Sequence, residues 1–136
     1  MAKPEQSDSV LVIDGDVLVR HAIADYLRSC GYVVIEAATT DEAVTVLERE
    51  SLSVDAVLCE AQVPGKLNAF EFRTWARQRR SDLQVALAGN VEAAAQKAAE
   101  LCEEGPELAR PYDPQGVVDY VRRIVGTSRA SNVRTG

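Results

Sequence analysis

The sequence predicts an α/β protein with a five-stranded parallel sheet, doubly wound as (βα)5, with helices on both faces. Short apolar runs alternate five times with stretches whose apolar residues recur at helical spacing. The first and third runs lack polar alternation, which is typical of parallel strands covered on both faces. Five units are too few for an eight-unit barrel, so right-handed crossovers favour an open sheet.

The predicted strands are apolar runs of four or five residues that are bounded by Gly, Pro, Asn or Asp. They are Val10–Ile13, Val33–Ala37, Ala56–Glu60, Gln84–Ala88 and the weaker Glu107–Arg110. In an open parallel sheet, ligand sites lie outside the carboxyl ends of the strands. The residues that follow the strands are therefore the candidates for function.

The stretches that follow the strands predict helices. Asp16 can cap the first helix and Gly31 can end it, because the apolar residues between them keep helical spacing. The other predicted helices are about Asp41–Glu50, Asn68–Arg79, Val91–Glu103 and a last one from Asp113 to Val125. The fourth helix presents mostly alanine, so we expect it to pack more loosely than the others.

The chain of 136 residues has room for one domain, since domains usually hold roughly 100–200 residues. We expect that domain over residues 9–125, after an N-terminal extension at 1–8 and before a flexible tail at 126–136. No apolar run approaches the roughly 20 residues of a membrane-spanning helix, so we expect no contact with a membrane. The polar start lacks the apolar stretch of a signal peptide, which predicts a cytoplasmic location.

Acidic side chains outnumber basic ones by 21 to 15, for a net charge of −6. An acidic domain is a poor partner for nucleic-acid phosphates, so we expect no nucleic acid among its partners. The third predicted helix nevertheless carries a basic run, which we interpret as a solvated helix face. Its members are Arg73, Arg77, Arg79 and Arg80.

The three cysteines, Cys30, Cys59 and Cys102, are odd in number, widely spaced and flanked by apolar residues. This pattern favours buried thiols over a disulfide or a metal set. We therefore expect three free thiols.

Charged and small residues collect where the predicted strands end. They are Asp14, Gly15 and Asp16 after the first strand, Glu60 at the end of the third, Ala88 and Gly89 at the fourth, and Arg110 before Pro111 at the fifth. The spacing alone leaves two interpretations open. The charged members form a structural ion pair, or they are the remains of a site for phosphate and metal.

Five segments of the chain carry a more specific pattern, with Pro-Gly after the third strand and a basic residue, Pro and an aromatic residue after the fifth. The segments are 10–20, 31–37, 55–65, 69–72 and 109–114. In this combination the chain resembles the receiver domain of two-component response regulators over residues 9–125. The resemblance implies the flavodoxin-like receiver fold and, as in most members of the family, a cis bond between Arg110 and Pro111.

The resemblance implies the chemistry of that family, in which a kinase histidine passes a phosphoryl group to an Asp at the end of the third strand. The transfer uses Mg²⁺ held by acids after the first strand, a hydroxyl on the fourth strand and a Lys on the fifth. Here the phosphoacceptor position is Glu60 and the acidic pair is reduced to Asp14 beside Gly15. The hydroxyl position is Ala88, and the lysine position is Arg110.

These substitutions predict a degenerate site. Glu60 would displace its attacking oxygen by about 1.5 Å, and a misplacement of about 1 Å already costs roughly a hundredfold in rate. Asp16 is interpreted as a helix cap, and the position of the family's switch aromatic falls on Glu107. We expect no catalytic residue, bound metal or cofactor, and we expect Glu60 to pair with Arg110 within about 4 Å.

The sequence thus predicts a stand-alone atypical receiver, not an enzyme, that works by protein contacts in a two-component phosphorelay. Its expected partners are a sensor histidine kinase, a phosphotransfer protein or a downstream signalling protein. Glu60 either mimics a phosphorylated Asp or locks the site. One alternative is a working phosphoacceptor that uses Glu60 or Asp16. The other is a flavodoxin-like domain that binds a nucleotide or flavin, which the absence of a Gly-rich loop after the first strand disfavours.

Overall fold

The computed structural model describes residues 8–103, together with 119 and 123. In this part of the chain four strands form one parallel sheet in the order β2-β1-β3-β4. The strands are β1 Ser9–Ile13, β2 Val33–Ala37, β3 Ala56–Glu60 and β4 Gln84–Ala88. All four were predicted, with β1 longer by one residue. The fifth predicted strand, Glu107–Arg110, and the last predicted helix lie outside the described residues.

Four helices follow the four strands. They are α1 Val17–Ser29, α2 Thr40–Glu48, α3 Ala69–Arg79 and α4 Val91–Glu103. Asp16 caps α1 as expected, and Asn68 caps α3 in a capping box with Glu71. None of the helices in the described ranges is long and apolar enough to cross a membrane.

Helix α2 ends at Glu48, two residues before the predicted end. The guanidinium of Arg80 binds the backbone carbonyls at the end of α2. It donates to Leu47 O at 2.9 Å and to Arg49 O at 3.3 Å. Arg79 also donates to Leu47 O, at 3.4 Å. Because two of the four arginines of the basic run bind the end of α2, the interpretation of that run as a solvated face is wrong for them.

The two faces of the sheet have separate cores, and α4 shares one of them with α1. Helices α2 and α3 cover the other face. A right-handed crossover to a strand beyond β4 would place α4 on the α2 and α3 face. Helix α4 therefore departs from the regular (βα)5 winding that the sequence predicts.

Helix α4 is closely packed, so the expectation of a loose helix is wrong. Its buried residues are Ala94, Ala95, Ala98, Ala99 and Cys102. Small side chains let the backbones of α1 and α4 approach each other, which sequence hydrophobicity alone does not measure.

The expectation of three free thiols is also wrong, because Cys30 and Cys102 form a disulfide. Cys30 is the C-cap of α1 and Cys102 lies in the last turn of α4, with their Cα atoms 5.5 Å apart. The pairing depends on α4 lying against α1, which the sequence does not reveal. Cys59 is a buried free thiol, as predicted.

Candidate functional site

The register of the sheet brings the predicted site residues to one edge. Ile13 pairs with Cys59 and Glu60 pairs with Ala88, so Asp14, which follows β1, and Glu60, which ends β3, lie at the same level of neighbouring strands. Backbone hydrogen bonds continue past the strand ends, from Asp14 N to Ala37 O at 3.0 Å and from Ala61 N to Ala88 O at 2.8 Å. We call Asp14, Gly15, Asp16, Glu60 and Ala88 together the carboxyl-edge site.

Asp14 is the buried carboxyl of the carboxyl-edge site, with 8% of its surface exposed. Its Oδ1 accepts a hydrogen bond from Asp16 N at 2.9 Å. The pKa of Asp14 is raised to about 6. Burial is the main cause and the charges of Glu60 and Asp16 act in the same direction, while the hydrogen bond from Asp16 N and the charge of Arg20 oppose them. With a pKa of about 6 this carboxyl is largely ionised at pH 7, so the site then holds a negative charge that is mostly removed from solvent.

Glu60 turns toward its own loop. Its Oε2 accepts a hydrogen bond from Gln62 N at 2.9 Å, and its backbone carbonyl accepts one from Val63 N at 3.1 Å. The carboxylate is therefore held by the segment that follows β3. Its predicted partner Arg110 lies outside the described residues, as does the Glu107 position.

Gly15 lies beneath the loop that joins β3 to α3, residues 61–68. A Cβ atom added at Gly15 would meet Pro64 Cδ at 2.9 Å and Pro64 Cγ at 3.3 Å. Real Cβ atoms do not approach a ring carbon so closely. The proline ring therefore fills the space that a side chain at position 15 would need.

Thr40, the first residue of α2, fixes the β3–α3 loop in this position. Its backbone N donates to Pro64 O at 3.0 Å, and its hydroxyl donates to Leu67 O at 2.7 Å. Gly65, between them, has φ of +139° and so close an approach that an added Cβ would lie 2.8 Å from Thr40 N. The loop is thereby attached to the start of α2 by hydrogen bonds at Pro64 and Leu67 and by the close approach of Gly65.

Asp16 acts as the N-cap of α1. Its Oδ1 accepts hydrogen bonds from Leu18 N at 3.0 Å and Val19 N at 3.3 Å. The carboxylate is thus committed to the helix. Within the described part of the chain, no group of three or more His, Cys, Asp or Glu side chains is arranged to hold a metal ion.

The end of β4 carries no polar side chain, and the space next to it is open. Ala88 is buried and has no hydroxyl, while nothing lies within 4 Å of a Cβ added at the next residue, Gly89. A phosphoryl group at this position would find no side-chain donor from β4.

The sequence reasoning did not identify Arg20 and Glu36 as neighbours of the site. Arg20 Nη1 donates to Asp14 O at 3.0 Å, and its Nε donates to Glu36 Oε1 at 3.0 Å. Burial opposes ionisation of Glu36, yet hydrogen bonds from Arg20 and Arg28 hold its pKa below the ordinary value. A single charged residue within the apolar strand β2 was the signal for this ion pair.

Comparison with known proteins gives local sequence matches. No protein-family profile matches the chain. A stretch of 56 residues is 41% identical to the two-component response regulator-like protein PRR37 of Oryza sativa. A stretch of 61 residues is 34% identical to the two-component response regulator-like protein APRR3 of Arabidopsis thaliana. The matches cover 41% and 45% of this chain but 8% and 12% of those proteins.

Several solved structures share the fold along most of the chain. The signal receiver domain of an HD domain-containing protein from Pseudomonas fluorescens is 18% identical, with a TM-score of 0.59 and 98% of both chains covered. The chemotaxis response regulator CheY4 of Vibrio cholerae is 18% identical, with a TM-score of 0.57 and coverage of 87% of this chain and 98% of that one. The response regulator TrrA of Thermotoga maritima, in complex with Mg²⁺-BeF, is 23% identical over 60% of this chain and 68% of that one, with a TM-score of 0.54.

Proposed function

This chain has the fold of a response regulator receiver domain, and from that premise we propose that it is an atypical receiver of two-component signalling. It acts through contacts with a histidine kinase, a phosphotransfer protein or a downstream signalling protein, without aspartyl phosphorylation. In this proposal the domain spans residues 9–125, works in the cytoplasm and catalyses no reaction of its own.

The observation that carries the proposal is the contact of Pro64 with the backbone of Gly15. A receiver that is phosphorylated needs acids after β1 to hold Mg²⁺, which neutralises the incoming phosphoryl charge. Here position 15 has no side chain, and the ring of Pro64 leaves no room for one. Thr40 holds the loop in that position, so the closure is built into the fold.

The other groups at the site support the same conclusion. Position 15 places no carboxylate beside Asp14, and Asp16 is engaged as the cap of α1. Glu60 is held by Gln62 N, and Ala88 provides no hydrogen-bond donor from its side chain. Phosphoryl transfer relies on groups preorganised around the developing charge, and among the described residues positions 15 and 88 supply no such group.

The names of the similar proteins fit a role in two-component signalling. The curated relatives are named as response regulator-like proteins, and the Thermotoga maritima structure is a response regulator in complex with Mg²⁺-BeF. The matched stretches are short parts of the curated relatives, so the role of this chain rests on its site residues rather than on those proteins.

The test is phosphorylation by a small donor. The full chain is incubated with acetyl phosphate and Mg²⁺, and its intact mass is measured, with Glu60→Gln and Asp16→Asn as companion variants. We expect no gain of a phosphoryl group by any of the three proteins. A stable gain by the natural chain that either variant abolishes would overturn the proposal and identify the acceptor.

A second variant distinguishes a closed metal pocket from a misplaced nucleophile. Glu60→Asp returns the shorter carboxylate but leaves Pro64 over Gly15, so we expect it to remain unlabelled and to bind Mg²⁺ weakly. Calorimetric titration with Mg²⁺ measures the second property. Labelling of Glu60→Asp would show that the length of residue 60 alone prevents phosphorylation, and would contradict the role given to Pro64.

A further inference from the structure

The disulfide joins the ends of two helices that are far apart in sequence. Cys30 is fully buried and Cys102 is 3% exposed, and their Cα separation of 5.5 Å lies within the range that a disulfide requires. The two positions are 72 residues apart. The bond therefore closes a loop that contains β2, β3, β4 and the helices between them.

The remaining contacts of α4 with the domain come mainly from small side chains. Three of its buried alanines, Ala94, Ala95 and Ala98, each place one methyl group in the core that it shares with α1. Near the disulfide, the hydroxyl of Tyr32 donates to Leu101 O at 2.6 Å. The C-terminal end of α4 is thus joined to the domain by the covalent bond and this hydrogen bond in addition to the packing of its small side chains.

The last turn of α4 gives a route to the disulfide. Glu100 and Glu103 are exposed on either side of Cys102, so the turn lies at the surface. Helix ends open locally at low free-energy cost. Brief opening of this turn would bring the sulfur of Cys102 to solvent while the rest of the domain remains folded.

We propose that Cys30 and Cys102 form a site of reversible thiol–disulfide exchange that determines whether α4 is fixed to α1. In the reduction, a thiolate of a dithiol attacks Sγ of Cys102, a mixed disulfide forms and Cys30 leaves as a thiolate that takes up a proton. The second thiol of the dithiol then attacks the mixed disulfide, which releases Cys102 as a thiol. The dithiol supplies two electrons and two protons and becomes a disulfide.

Cys59 provides an internal control for this exchange. It lies in the core of the opposite face, under α2 and α3. Burial, with the neighbouring charges of Glu60 and Asp14, raises the pKa of its thiol to about 12, so it is a poor nucleophile. Exchange chemistry at Cys30 and Cys102 should therefore proceed without its participation.

The experiment counts thiols in the full chain. The protein is equilibrated under native conditions with oxidised glutathione or with dithiothreitol, then quenched in acid, denatured, alkylated and weighed by mass spectrometry. We expect one alkylated cysteine in the oxidised sample and three in the reduced sample. Three in both samples, or one in both, would overturn the proposal, because the pair would then be either never formed or not exchangeable.

The structural consequence is measured by hydrogen exchange on the same two samples. We expect reduction to speed exchange at least tenfold in residues 94–103 and to leave residues 69–79 unchanged. Cys102→Ser should exchange as the reduced protein in both buffers, whereas Cys59→Ser should respond as the natural chain does. If Cys102→Ser does not fold, hydrogen exchange of the natural chain in the oxidising and reducing buffers still tests whether reduction releases α4. Equal protection of α4 in both states would refute its release.

Discussion

The ring of Pro64 lies against Gly15, so that a Cβ atom added at Gly15 would sit 2.9 Å from Pro64 Cδ. This contact joins the loop after β3 to the end of β1. The lack of a side chain at position 15 and the position of the Pro64 ring are therefore one structural feature. Thr40, at the start of α2, maintains it through Pro64 O and Leu67 O.

Substituting Gly15→Ala should destabilise the protein by about 1–3 kcal/mol, because the added methyl group overpacks against Pro64. Gly89→Ala is the matched control. Gly89 follows β4 at the same edge of the sheet, and its added methyl group meets nothing within 4 Å. That variant should be neutral or slightly more stable. Urea unfolding of both variants measures the difference. Equal stabilities would mean that Pro64 moves aside freely.

Substituting Thr40→Val should release the β3–α3 loop. The variant keeps the size of the side chain but removes the donor to Leu67 O inside a fully buried position. Because Leu67 is only half-buried, loss of this hydrogen bond should cost about 0.5–1.5 kcal/mol. Thr45→Val on the same helix removes a longer, exposed hydrogen bond to Asp41 O and should cost less. Hydrogen exchange at Lys66 and Leu67 should accelerate in the first variant alone; acceleration in both would refute a specific role for Thr40.

Asp14 should make stability depend on pH between about 4 and 6. Its pKa of about 6 in the folded protein lies above the ordinary value of 3.8, so in that interval the folded state binds more protons than the unfolded state. The free energy of unfolding therefore falls as pH rises from about 4 to 6, and the loss persists above pH 6.

Replacing that carboxyl by Asp14→Asn should remove the loss. The variant should be more stable than the natural chain by about 1–3 kcal/mol at pH 7 and by little at pH 4. The estimate follows because the pKa of Asp14 is raised by about two, and each unit corresponds to roughly 1.4 kcal/mol. The amide oxygen of the variant can still accept from Asp16 N. Asp82→Asn, at an exposed turn, controls for the change in net charge. A gain that is the same at both pH values would contradict the buried-carboxyl explanation.

Arg80 should stabilise the end of α2. Arg80→Ala removes donors to Leu47 O, Arg49 O and Leu52 O, and we expect a cost of about 1–2 kcal/mol with faster exchange at the end of α2. Arg77→Ala removes an exposed arginine from α3, the helix that ends just before Arg80, and should change stability by no more than about 0.5 kcal/mol. Thermal unfolding compares them; similar losses would indicate that helix charge, rather than the carbonyl contacts, is responsible.

Local patterns in the sequence were sufficient for most of the secondary structure. Three of the four described strands have the predicted bounds, and Asp16 and Asn68 stand where the helices begin. Strand burial and helix capping depend on residues within a few positions of one another, which periodicity detects. The end of α2 was predicted less well because Arg80, from another helix, takes its carbonyls.

The sequence by itself also determined which side chains stand at the strand ends, including Glu60, Gly15 and Ala88, because their places follow from the strands that precede them. Only the tertiary structure decided that Pro64 covers Gly15 and that α4 packs on α1, bringing Cys102 to Cys30. These contacts join residues from separate elements, and their existence depends on how loops and helices cross the sheet. A pattern along the chain records each residue's neighbours in sequence, not the neighbours that folding brings to it.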